Sequence, residues 1–206
     1  KIPEYKLQNF SMTMKEFKVI FWWEWAHRFL GRLIGIGFII PLIYFSLKIG
    51  FKKLIKFYII FFLICFQGFL GWYMVQSGLV NDIDVSHFRL SIHLFFAFII
   101  LSLILWNFFL LNRAQKHRIQ LINVLPEFIL SIIFLQIIIG AFVSGMDAGK
   151  IYNTWPLMGS SYFPDDSMIS DLFSLKVFDD QSLVQFIHRN LAYSIVVLYF
   201  YILFFV

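Results

Sequence analysis

Charge is scarce in this chain. Only 14% of its 206 residues are Asp, Glu, Lys or Arg, against 60% hydrophobic and 21% aromatic, whereas a soluble domain carries about a quarter charged. With so few charges no soluble basic face can form, which excludes a nucleic-acid surface. Cysteine is nearly absent: Cys65 stands alone, which excludes an intrachain disulfide and a Cys-x-x-Cys metal site. Alternating apolar and polar stretches, the mark of a β-barrel strand, are also missing. What fills the chain is long apolar runs, with a mean hydropathy of +0.79. Five of them, at about 19–47, 57–76, 88–111, 126–146 and 183–206, are each long enough to cross a hydrocarbon core of about 30 Å as a helix. The fold class is therefore an all-α integral membrane protein with five transmembrane helices in this chain.

The few charges are sorted by side. Lys48, Lys52, Lys53 and Lys56 form one short loop without an acid, and Arg113, Lys116 and Arg118 form a second. By the positive-inside rule both face the cytoplasm or its mitochondrial equivalent. Asp82 and Asp84, then Asp147, Asp165, Asp166, Asp171, Asp179 and Asp180, occupy the outward connections. The first, third and fifth segments then run from outside to inside. The chain starts at Lys1 rather than Met and stops at Val206 within an apolar run, so further helices are expected on both sides.

Orientation brings three histidines to one depth. His27, His93 and His188 all fall in the outer halves of the parallel segments. Ionisable groups in lipid are costly and normally mark a site inside a bundle. A single membrane histidine is more often an interhelical hydrogen-bond partner than a ligand, but three at matched depth point to haem iron held by axial imidazoles. A small residue follows each by four positions, Gly31, Ala97 and Ala192, on the same helical face. That spacing gives clearance for a flat macrocycle, or equally a helix-packing motif with Gly35. His87, at a loop boundary, and His117, among the inner-loop basic residues, are expected to be solvated rather than ligating. The second and fourth segments share Gln67-x-x-x-Gly71 and Gln136-x-x-x-Gly140. This repeat hints at two related halves, though such a match arises easily by chance.

Arginines and one carboxylate complete the constellation. Arg28, Arg89 and Arg189 lie beside the histidines and suit carboxylates such as haem propionates, or snorkel to headgroups. Arg32 lies a turn deeper. Glu24 shares the face of His27 and sits in Trp22-Trp23-Glu24-Trp25, where shielding from water would raise its affinity for a proton and let it move protons. Its alternative is an ion pair with Arg28 at i+4. The long acidic loop with Tyr152-Asn153-Thr154-Trp155-Pro156 either lids the outer helix ends or is inert.

Longer strings now resemble a known family. Residues Phe21-Trp22-Trp23-Glu24-Trp25-Ala26-His27-Arg28-Phe29-Leu30-Gly31-Arg32, the run from Gln67 to Leu79, Val85-Ser86-His87-Phe88-Arg89-Leu90-Ser91-Ile92-His93-Leu94, Ala148 to Gly159 and Gln185 to Tyr193 are similar to haem A synthases of the proteobacterial and mitochondrial type. That resemblance implies an eight-helix protein of two pseudo-symmetric four-helix bundles, each holding a haem between two histidines, of which this chain spans helices two to six. Residues 1–112 would be the amino-terminal half without its first helix, and 113–206 the start of the carboxyl-terminal half. His27 and His93 would hold the substrate haem O, with Glu24 as the catalytic carboxylate. His188 would ligate the cofactor haem b, its partner lying on an eighth helix. Cys65 alone matches the branch without an outer-loop disulfide.

The activity implied is oxidation of a haem O methyl to a formyl group, giving haem A for terminal oxidases. Partners implied are membrane lipid, haem O, haem O synthase, cytochrome oxidase assembly factors and a second copy of the chain, in a bacterial cytoplasmic or mitochondrial inner membrane. A membrane b-type cytochrome acting only in electron transfer, or a haem-free transporter, would use the same side chains differently.

Overall fold

A computed structural model describes residues 10–78, 85–111 and 125–205. The expectations resting on Asp82, Asp84, Arg113, Lys116, His117 and Arg118 lie outside the described residues. Five helices are long and apolar enough to cross a membrane: α1 (Met14–Ile49), α2 (Ile55–Gly78), α3 (His87–Leu111), α4 (Leu125–Gly145) and α5 (Gln181–Phe205). Among the described residues there is no β-strand, only an antiparallel bridge between Met158 and Ser161.

The hydropathy reading places the start of α1 too late. Its 36 residues span about 54 Å at 1.5 Å per residue, well beyond a hydrocarbon core. Thr13 and Glu16 explain the extension, because they form a reciprocal capping box in which each side chain takes the other's backbone N–H, at 2.8 and 3.4 Å. Two orphan donors are thereby satisfied at a polar helix start that hydropathy does not register. Pro41 lies inside α1; such prolines are tolerated in membrane helices where neighbouring groups take over the freed carbonyl. Gly50 ends the helix at a φ of 91° and donates its N–H to Ser46 O, a conformation that side chains resist.

The chain divides into two compact units, residues 1–85 with 99–112 and residues 86–98 with 113–206. In the first, α1 and α2 form a hairpin closed at its lysine-bearing end. Ser46 Oγ donates to Leu42 O and meets Tyr58 OH at 2.8 Å, Phe51 packs on Tyr58, and Leu42, Leu54 and Ile60 are buried. Phe38 stacks on Phe61 further along.

The second unit has the tighter core. Ile139, Phe142 and Val184 are buried between α4 and α5, with Ile138, Val143, Met146, Phe178, Ile187 and Leu191 packed around them. Close approach of α3 to α4 depends on Gly145, where a Cβ would stand 2.9 Å from His87 Cα. Nearby, Phe88 meets Phe142 edge-on and the His87 ring packs tilted against it, and Ser91 Oγ donates to Ile138 O. His87 is thus not solvated as expected. It is packed on Phe142 and faces the Asp179 carboxylate at 3.4 Å, because the outer loop folds back over the start of α3.

Candidate functional site

Successive residues on a helix point about 100° apart, and α5 uses this to give His188 and Arg189 separate tasks. The imidazole of His188 turns toward α4. There Gln136 Nε2 lies 3.3 Å from His188 Nε2. One turn along, a Cβ on Gly140 would stand 3.1 Å from His188 Cε1 and 3.6 Å from Nδ1, so the ring occupies space that any larger residue would contest. Gln136 Oε1 and His188 Nδ1 are buried with no hydrogen-bond partner. The Gln-x-x-x-Gly pattern, too weak to carry weight in the sequence, is the surface on which this histidine rests.

The guanidinium of Arg189 turns the other way, toward the loop. Nη1 donates to Thr154 O at 2.8 Å and Nη2 to Tyr152 O, while Gln185 Nε2 donates to the same Tyr152 carbonyl at 2.9 Å. Two of the five guanidinium donors are engaged in holding the loop. The loop is further tied to α5 by Tyr162 OH donating to Asn190 Oδ1 at 2.6 Å and by Ser182 Oγ donating to Asp166 at 2.8 Å. Asp180 caps the helix, its carboxylate accepting from the N–H groups of Ser182 and Leu183 at 2.9 and 3.0 Å. The loop is bonded along the first turns of α5.

Electrostatics reinforce the attachment. Partial burial opposes ionisation of Asp166, but hydroxyls from Ser182 and Tyr152 outweigh it and hold the carboxyl below its ordinary range. Asp165 is held low by the Ser160 N–H and then by the Ser161 and Ser160 hydroxyls. Lost solvation, then the Asp166 carboxylate it donates to, pushes the Tyr152 phenol up. Gly159, at a φ of 85°, makes the tight turn, and a Cβ there would collide with the Asp165 carboxylate. Met158 beside it is buried.

The first unit holds the second cluster. Glu24 and Arg28 form an ion pair, each side chain about half exposed, which is the alternative that their i+4 spacing offered. Trp25 stacks flat on Phe29 at 5.1 Å and takes Trp22 edge-on, while Trp23 is 76% exposed rather than shielding the carboxylate. A Cβ on Gly31 or on Gly35 would meet nothing within 4 Å. Clearance beside His27 is therefore present, and among the described residues no helix packs on this Gly-x-x-x-Gly face.

The structure brings Glu24 to Arg28 and His188 to Gln136. His27 is in the first unit, and Arg89, half-buried His93, His188 and Arg189 are in the second. Among the described residues no three His, Cys, Asp or Glu side chains converge as a metal cluster requires. Sequence reading missed Gln136 and Gly140 as contacts of His188, and Tyr152, Asp166 and Ser182 as the loop's attachment. The shared Gln-x-x-x-Gly spacing was the available signal for the first pair; nothing local signalled the second group.

The COX15-CtaA family model, described as cytochrome oxidase assembly protein, matches residues 1–206. A protein of Pelagibacter ubique named heme A synthase is 51% identical over 197 residues, covering 94% of this chain and 58% of its own length. Proteins of the same name from Flavobacterium psychrophilum and Rickettsia bellii are 45% and 44% identical, each over 94% of this chain and 59% of their own. The chain thus spans under three fifths of the length of these relatives. No solved structure matches it.

Proposed function

The chain belongs to the COX15-CtaA family of cytochrome oxidase assembly proteins, and from that premise we propose that the whole protein is a haem A synthase that oxidises one methyl of haem O to a formyl group. The observation carrying this reading is 51% identity to a protein of that name over 94% of the chain. Each relative's name applies to a longer protein, so the activity is proposed for the full reading frame with an eight-helix, two-bundle architecture.

The residues of the second unit fit a haem b. A neutral imidazole is a suitable iron ligand, Gly140 gives the His188 ring a seat that a Cβ would fill, and Nε2, on the other edge, is faced by the Gln136 amide. Haem b, when bound, supplies the one-electron redox chemistry that removes electrons from the substrate. His188 holds the cofactor, and the loop tied down by Arg189 keeps the outer start of α5 in place. Three guanidinium donors of Arg189 remain for a propionate beyond those given to Tyr152 and Thr154.

Substrate haem O falls to His27 and His93. Glu24, on the His27 face of α1, takes a proton as the methyl group is oxidised, and Arg28 fixes that carboxylate through their ion pair. Arg28 and Arg89 are the propionate partners on this side. Gly31, open on its face, leaves room for the macrocycle. In the membrane the histidines sit in the outer half, with the basic loop around Lys52 inside. Extracted haem from cells carrying the full protein tests the reading: wild type yields haem A, and Glu24→Ala retains bound haem but yields none.

A further inference from the structure

The side-chain amide of Gln136 sits against the Nε2 edge of the His188 ring, its nitrogen 3.3 Å from Nε2. An amide carries both a donor and an acceptor at its end and can meet that nitrogen in either tautomer of the ring. The Nδ1 edge is closed to any large ligand, since it lies against Gly140, 3.6 Å from where a Cβ would stand, and is buried. Nε2 is therefore the atom left for iron. That nitrogen is already faced by the Gln136 amide.

We propose that Gln136 is a displaceable occupant of the His188 ligand position, holding Nε2 in the haem-free protein and leaving when haem iron binds. This rests on the assignment of His188 as a haem ligand made above. A buried imidazole nitrogen without a partner is costly, and in the haem-free state the amide satisfies it. An amide at this place is compatible with the tautomer whose Nε2 lone pair iron needs, where a carboxylate would demand N–H at Nε2 and remove that lone pair. The consequence is opposite in sign to a supporting role: Gln136 stabilises the haem-free site and weakens haem binding, keeping the cofactor exchangeable during loading.

Titration of haem b into haem-free, full-length protein in detergent, followed by the low-spin absorption band, tests the sign. Gln136→Met keeps the length and apolar bulk but removes the donor, and should tighten haem binding about fivefold, the worth of one net hydrogen bond. Gln136→Glu keeps the shape but demands N–H at Nε2, and should weaken binding by roughly tenfold or more, as a charge-assisted competitor. Met binding haem as wild type does, or more weakly, overturns the proposal, and so does Glu binding as tightly as wild type. If Gln136→Met fails to fold, the near-isosteric Glu variant decides alone. A wild type with no low-spin band overturns the haem reading itself, whereas a wild-type band with unchanged variants overturns only the role of Gln136.

Discussion

Removing the Arg189 guanidinium while keeping its aliphatic stem, as in Arg189→Met, should release the outer loop without unfolding α5. Two bonds are lost, to Thr154 O at 2.8 Å and to Tyr152 O. Bonds involving a charged donor contribute about 1.5–3 kcal/mol each. Two corrections reduce the total. Tyr152 O keeps its bond from Gln185 at 2.9 Å, and the Thr154 contact is on the exposed side, where water replaces part of what is lost. About 2 kcal/mol remains, or a roughly 30-fold rise in the open population of the loop. Hydrogen exchange at the Met158 and Ser160 amides, which donate inside the loop to Ser161 O and the Asp165 carboxylate, reads this opening directly. Acceleration of less than threefold, with α5 amides equally unchanged, would refute the argument that Arg189 anchors the loop. If haem were then lost with loop exchange unaltered, the guanidinium would belong to a propionate.

Further expectations concern the ligands, the ring seat and pH. His188→Ala should empty the cofactor site and leave substrate haem in place, whereas His27→Ala or His93→Ala should do the reverse; haem content per protein before and after added haem O measures it, and a His188→Ala protein with intact cofactor haem contradicts the division. Gly140→Ala would set a Cβ 3.1 Å from the His188 ring and should cost about 1 kcal/mol, seen as a thermal midpoint lower by about 2–4 °C; an unchanged midpoint and haem spectrum would show that the ring yields freely. Loop attachment should hold across a window bounded by the shifted groups. Asp165 and Asp166 have lowered folded values, so their contribution is complete above the ordinary carboxylate value near 4 and is lost as pH falls through the depressed ones. Tyr152 is raised, so its contribution is complete below about 10 and disappears as pH rises through the higher value. Proteolysis within the loop between about pH 5 and 9 should therefore be flat after correction for the protease; a step near neutrality would implicate another group.

Run length together with the missing β-barrel alternation makes the five helices legible, because only helices and closed barrels satisfy a backbone in lipid. The start of α1 is not legible in this way, since Thr13 and Glu16 stabilise it through polar capping. Glu24 and Arg28 are readable because i+4 spacing leaves few options. His188 is marked by being ionisable in an apolar segment, yet its partners are hidden: Gln136 is 52 residues away in sequence, and a Gln-x-x-x-Gly spacing has no meaning until two helices are placed side by side. The loop is least legible of all. Its order comes from bonds spanning up to 37 residues, between Tyr152 and Arg189, and the sequence misleads about His87 because Asp179 folds back onto it.

Under the proposed function, Glu24 separates an enzyme from a simple electron carrier with the same histidines. The most direct measurement is the identity of the haem extracted from cells that lack their own haem A synthase, make haem O, and express the full reading frame as wild type or Glu24→Ala. Wild type should yield haem A, and Glu24→Ala should yield haem O with no haem A while the purified protein keeps its low-spin band. Undiminished haem A from Glu24→Ala, or no haem A from wild type, would contradict the account.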